Sequence, residues 1–224
     1  MSGFLTMLPS GFPARLAAGM AIDFEIAAAA LGLGLVLGAP LGFVWAMRSP
    51  VRAVPNVIVQ LMRAAPTFVV MFFLLNILPH DVRVLGRRIP ITRELTVVLS
   101  LVPYSASYVA ENGAEALRQW RLGSALAALL FLPNLARAYF VLVMSAGVAA
   151  AIGVTEGIAV ILREADRLPD LSDRLWLFAI GVVAYGVILQ SGFLGVMWVR
   201  AHLARLVLRR AGIDTTERNR RQHA

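Results

Sequence analysis

Among the ionisable residues inside long apolar blocks of this chain are Arg63, Glu111, Arg137 and Glu156. A charge at membrane depth costs several kcal/mol unless it is paired or wetted, so each is a functional candidate by default. Arg63 lies about eight residues into its block, roughly 12 Å at helical rise. Glu111 precedes Trp120 by nine residues, at a similar depth from the same side, and Arg137 sits about one turn into the next block. The spacing predicts that the three meet in one layer centred on an Arg63–Glu111 ion pair, within one subunit or across a dimer. Such a layer is either a structural pair that ties helices together or a charged stretch of a permeation path.

Other chemistry is thinly represented. The chain has no cysteine, which excludes disulfides, thiolate metal sites and a cysteine nucleophile. All 21 basic residues are Arg, so there is no lysine for a Schiff base or a phosphate-binding loop. His80, His202 and His223 lie far apart, without the spacing of metal ligands. No nucleophile–base pair or paired-carboxylate arrangement stands out, and Gly32-x-Gly34 lacks the strand–turn–helix context of a dinucleotide loop. The expectation is therefore no catalytic residue, no metal and no cofactor. Asp166, Asp170 and Asp173 interleave with Arg163, Arg167 and Arg174, which reads as a solvated, self-neutralising surface.

The elements that must position these charges are membrane helices. Of 224 residues, 59% are apolar and 15% charged, against about 45–50% and about 25% in ordinary soluble domains. Mean hydropathy is +0.75 and formal net charge +8. A bilayer core about 30 Å thick needs roughly 20 helical residues. Five blocks meet that length: Ile26 to Met47, Pro55 to Pro79, Leu95 to Trp120, Leu132 to Leu162 and Leu175 to Val199. The fold class is all-α, a polytopic membrane protein of about five transmembrane helices. It divides into an external or interfacial segment 1–25, a transmembrane domain 26–205 and a basic tail 206–224. Pro9 and Pro13 are expected to break the first segment, and Pro40 to kink the first span.

Gly34, Gly38 and Gly42 recur every fourth residue, a pattern that lets two helix backbones approach closely in lipid. The Ala/Gly-rich run from Ser145 to Gly153 offers a second close-packing surface. Eleven Arg fall on the side of the C-terminal tail and eight on the other, which places the tail in the cytoplasm and the N-terminus outside. The basic tail suits anionic lipid headgroups better than nucleic acid.

Read outward from the charges, the chain resembles the permease subunits of polar amino acid ABC importers, of type I architecture. Leu61-Met62-Arg63-Ala64-Ala65-Pro66-Thr67-Phe68 resembles their Arg-Gly-Thr-Pro segment, with Arg63 and Pro66 in matching places. Ser105-Ala106-Ser107-Tyr108-Val109-Ala110-Glu111 resembles an Ala-Tyr-x-Ala-Glu stretch, and Ile152-Gly153-Val154-Thr155-Glu156 an Ile-Gly-Val-x-Glu stretch. The pieces keep their order from about Gly19 to Arg210. The resemblance implies a path lined by Arg63, Pro66, Tyr108, Glu111, Arg137, Ser145 and Glu156. It also implies an inner-membrane complex with a second permease subunit, an ATP-binding cassette ATPase that hydrolyses the ATP, and an external solute-binding protein.

Two departures qualify it. The family's Glu-Ala-Ala…Gly loop, a short helix that docks into the ATPase, aligns with Gly123, Leu126, Ala127 and Ala128, so Leu126 stands where the Glu belongs. Roughly two to five turns of that coupling helix are missing (about 3.6 residues per turn). The family's Lys-Asp-Thr-Ser element maps onto Met144-Ser145-Ala146-Gly147, without either charge, and Arg137 replaces a polar uncharged residue. Weak coupling through this loop favours a heterodimer with an intact partner over a homodimer, and permits an alternative, a non-transporting scaffold or regulatory subunit.

Overall fold

The computed structural model describes residues 10–47, 53–79, 81–84 and 87–210. The first helix, α1 (Phe12–Trp45), starts with Pro13 in its opening turn, where the missing N–H has no intrahelical partner to lose. Pro13 therefore begins the helix instead of breaking it. The expected boundary between residues 25 and 26 is not an element boundary, since α1 runs through it and onward through Pro40. Pro9 and the rest of 1–9 lie outside the described residues.

After α2 (Ala53–Ala64) comes α3 (Thr67–Ile77), bent by 87° from it at Ala65-Pro66. Pro66 supplies no N–H and disfavours helical backbone at Ala65, so the break is written locally. The polar stretch between the second and third blocks contains an antiparallel hairpin, β1 (Asp81–Val84) and β2 (Arg87–Pro90), with Asp81 opposite Pro90 and Val84 opposite Arg87.

Helix α4 (Arg93–Arg121) opens at Thr92, whose hydroxyl accepts from the Leu95 N–H at 3.2 Å. Glu94 in its first turn and Arg118 and Arg121 in its last suit the helix dipole. It ends at Gly123, which takes φ +82°. There the N–H of Ser124 reaches the Gln119 carbonyl and that of Gly123 the Trp120 carbonyl, both at 2.9 Å, a Schellman closure that glycine adopts without strain. One turn of helix, α5 (Ala125–Ala128), leads into α6 (Phe131–Ala146) and a 3-10 segment (Gly147–Ile152). Gly153 at φ +84° reverses the chain before α7 (Gly157–Ala165), and α8 (Leu171–Arg210) completes the described bundle.

By length and composition three helical stretches can cross a membrane, Phe12–Trp45, Ala125–Ile152 and Leu171–Leu208, or four if the bent α2–α3 pair counts as one span. Among the described residues these are three or four of the about five spans expected. The fourth block ends at Ile152, because the turn at Gly153 detaches α7. Helix α4 is long enough, yet too polar to qualify. Its polarity is tolerated because it is the central helix, packed by α1, α2, α3, α5 and α6. Buried Ser100, Ser105 and Ser107 each donate to a backbone carbonyl, Ser105 to Ala30 of α1 at 2.8 Å. The fold remains an all-α polytopic membrane fold with one small hairpin among the described residues. Its core gathers Leu16, Met20, Ala27 and Ala30 of α1 against Val97 and Leu101 of α4, Leu142 of α6 and Leu177 of α8.

Candidate functional site

The α1–α4 seam sets the frame. A Cβ on Gly34 would collide with the Ser105 side chain, and one on Gly38 with the Ala106 carbonyl. At Gly42 it would stand 2.6 Å from the Ala110 carbonyl oxygen. The two backbones run in contact and in parallel, so their C-termini reach the same end. There Arg121 donates to the Ala46 carbonyl at 3.0 Å and Arg118 to that of Trp45 at 3.5 Å, covering carbonyls that α1 cannot satisfy itself. Gly32, on the other face, meets nothing.

With α4 held in this way, Glu111 faces the end of α2. Arg63 Nη1 donates to Glu111 Oε2 at 2.9 Å within the one chain. Arg63 occupies the last turn of α2, immediately before the break at Ala65-Pro66, where its cation also opposes the negative end of the helix dipole. The pair is not enclosed by the chain, with side-chain exposures of 59% and 46%. Tyr108 lies one turn before Glu111, its carbonyl accepting from Asn112 at 2.9 Å and its ring 6.0 Å from that of Tyr104. Asn134 of α6 donates to Asn112 at 2.8 Å. Arg137 does not join the ionic layer: it is exposed on α6 and has no ion-pair partner among the described residues. Ser145 is half-buried two residues from the 3-10 segment, and Pro66 is exposed at the break.

The one-turn α5 holds Leu126, Ala127 and Ala128, and Gly123 supplies the reversal before it. Leu126 is exposed and no carboxylate stands on the turn.

A second polar cluster lies at the other end of α1, and sequence reasoning found only one of its members. Glu156 has no exposure; its two carboxyl oxygens accept from the backbone N–H groups of Ile158 at 2.6 Å and Ala159 at 2.8 Å, capping α7. Asp23 adjoins it, also without exposure. Asp23 Oδ2 accepts from the Gly157 N–H at 3.2 Å and from the Tyr185 hydroxyl, while Oδ1 is buried with no hydrogen-bond partner. Gly19 permits the approach, since a Cβ there would stand 2.8 Å from the Glu156 carbonyl carbon. The signal for Asp23 was its register: Leu16, Gly19, Met20, Asp23, Ile26, Ala27 and Ala30 form one buried stripe of α1 at helical spacing. Nothing local marked Tyr185.

Among the described residues no group of three or more His, Asp or Glu is arranged to hold a metal ion. His202 stacks on Trp198 at 5.8 Å, and His80 and His223 lie outside the described residues.

Neither a protein-family model nor a curated relative matches the chain. A solved structure does, described as an amino acid ABC transporter with histidines. It superposes with a TM-score of 0.56 at 18% identity, over 90% of this chain and 97% of that one. The two chains share a fold. At that identity the likeness extends to the path of the backbone and no further.

Proposed function

We propose that this chain is the transmembrane permease subunit of an ABC importer, forming half of the translocation path for a small polar solute, an amino acid or amino-acid derivative. The observation that carries the reading is the broken α2–α3 pair with an accessible Arg63–Glu111 ion pair at its break, in a chain with the fold of an amino acid ABC transporter. Interrupted membrane helices leave backbone groups and helix ends free to meet polar solutes, and transporters use them for that purpose. A partly exposed guanidinium–carboxylate pair offers both charges that a zwitterionic amino acid needs. On this reading Tyr108, Pro66, Arg137, Ser145 and Glu156 belong to or support the path. A second permease subunit, two ATPases and an external solute-binding protein complete an inner-membrane complex, with the N-terminus outside and the tail in the cytoplasm.

The one-turn α5 favours a second reading, a membrane scaffold or regulatory subunit that does not couple to an ATPase. A four-residue turn ending in alanines offers a nucleotide-driven partner little surface to push and no carboxylate to hold. A heterodimer in which the partner keeps a full coupling helix reconciles this with transport. The test is reconstitution with the ATPase, second permease and binding protein that this reading calls for. Transport predicts solute-stimulated ATP hydrolysis that Arg63→Ala and Glu111→Ala each abolish. Full stimulation in both variants would overturn the path assignment. An assembled complex that transports equally well without this chain would establish the scaffold reading.

A further inference from the structure

The Arg and Asp side chains between α7 and α8 do not pair directly. Among the described residues, none of Asp166, Asp170 and Asp173 forms an ion pair with Arg163, Arg167 or Arg174. Glu164 takes the cations instead. Buried to 5% exposure, it accepts from Arg15 of α1 at 2.6 Å and from Arg167 at 3.0 and 3.2 Å. Arg163 folds back along α7 and donates to the Thr155 hydroxyl at 3.1 Å, a neutral acceptor. These side chains surround a cavity of about 500 Å³ whose apolar floor includes Ile22 and Val160. Two guanidinium groups therefore share one carboxylate and a third has none, leaving two positive charges without a counter-charge among the cavity's residues.

We propose that this cavity binds a small organic anion, its phosphate or carboxylate group held by Arg15, Arg163 and Arg167 and a short apolar body resting on Ile22 and Val160. Guanidinium forks match such oxyanions bidentately, and those of Arg15 and Arg167 are already oriented by the buried Glu164. Low-dielectric walls around a concave basic surface concentrate anions from solution. The volume falls in the range of small-ligand sites, well above what one free inorganic ion needs. At 34 residues α1 spans about 51 Å at helical rise, against a hydrocarbon core of about 30 Å, so its Arg15 end projects to headgroup or aqueous depth. The same chemistry is presented there by an anionic lipid headgroup and by a dissolved anionic solute. The site involves neither Arg63 nor Glu111, and it stands whether or not the chain transports.

The experiment uses the full chain in phosphatidylcholine nanodiscs. One arm titrates dissolved glycerol phosphate and glutarate; the other replaces part of the phosphatidylcholine with phosphatidylglycerol. Amide hydrogen exchange over residues 12–22 and 155–167 and the melting midpoint report binding. At least one arm is expected to protect both segments and raise the midpoint. Arg163→Ala should weaken that response about tenfold, as loss of a charge-assisted hydrogen bond does. Arg163→Glu should abolish it, and Arg205→Ala, an equal charge change far along α8, should leave it intact. A response to the dissolved anions identifies a solute site, and one to phosphatidylglycerol alone a lipid site. No response in either arm overturns the proposal, as does an Arg205→Ala loss equal to that of Arg163→Ala. Arg163 makes one exposed bond and is not part of the core, so its variants fold.

Discussion

Arg63 and Glu111 meet at an exposed surface of the chain beside a broken helix, whereas Asp23, Glu156 and Tyr185 are enclosed by the chain itself. Both clusters tie α-helices together through carboxylates, but the physics differs. The exposed pair is not desolvated by the chain, and where water reaches it the net contribution to stability is small, about 0–1 kcal/mol. Its two charges stay available to a visiting solute. In the dry cluster every missing partner is costly, because a buried polar group without a hydrogen bond forfeits its hydration. Glu156 is fully engaged by backbone donors, while Asp23 has one oxygen with no donor and a second carboxylate beside it. The comparison teaches that a membrane-depth carboxylate can be either a chemical handle or a structural rivet, and that solvent access separates the two.

The largest effect is expected at the rivet. Glu156→Ala removes both acceptors of the α7 cap inside a dry site and should cost about 3 kcal/mol, read as a drop in melting midpoint of the detergent-solubilised protein. A midpoint near wild type would mean that water enters this cluster. Tyr185→Phe, which withdraws one donor from Asp23, should cost about 1–2 kcal/mol on the same measurement.

Asp23→Asn sharpens the contrast because its sign is opposite. The amide oxygen still accepts from Tyr185 and Gly157, while the amide N–H₂ replaces the orphaned oxygen and no longer repels Glu156. This variant should melt at or above wild type, by up to about 1 kcal/mol; a clear loss would mean that Asp23 must be ionised. The smallest stability change belongs to the exposed pair. Arg63→Ala, Glu111→Ala and the double variant should all fall within about 0.5 kcal/mol of wild type, with a coupling energy in a double-mutant cycle close to zero. A coupling above about 1.5 kcal/mol would put this pair in the same class as the buried cluster.

Much of this was legible in the sequence. Opposite charges in two apolar blocks pointed to the Arg63–Glu111 contact, whereas the stretch from Pro55 to Pro79 read as one span and Pro66 only as a motif position, so the break between α2 and α3 was missed. The Gly34/Gly38/Gly42 spacing named the face that lies against α4. Other features escaped for identifiable reasons. Asp23 stood before the first uncharged block and so read as the end of an interfacial segment, although it continues the buried stripe of α1. The hairpin strands are four residues each, too short for an alternating pattern to register. Helix α7 merged with the fourth block because a 3-10 segment of Ala and Gly looks like more helix until Gly153 turns left-handed.

By itself, then, the sequence determined that this is a helical membrane protein and where small residues permit close approach. Those properties depend on composition, on a period of 3.6 residues and on the covalent chemistry of single side chains. The tertiary structure alone decided which carboxylates are dry. Glu156 and Tyr185 lie more than 130 residues from Asp23 in the chain, separated from it by 134 residues to the Gly157 N–H and 162 to the tyrosine hydroxyl. Desolvation is set by whatever packs around a group, and no local pattern encodes neighbours that distant.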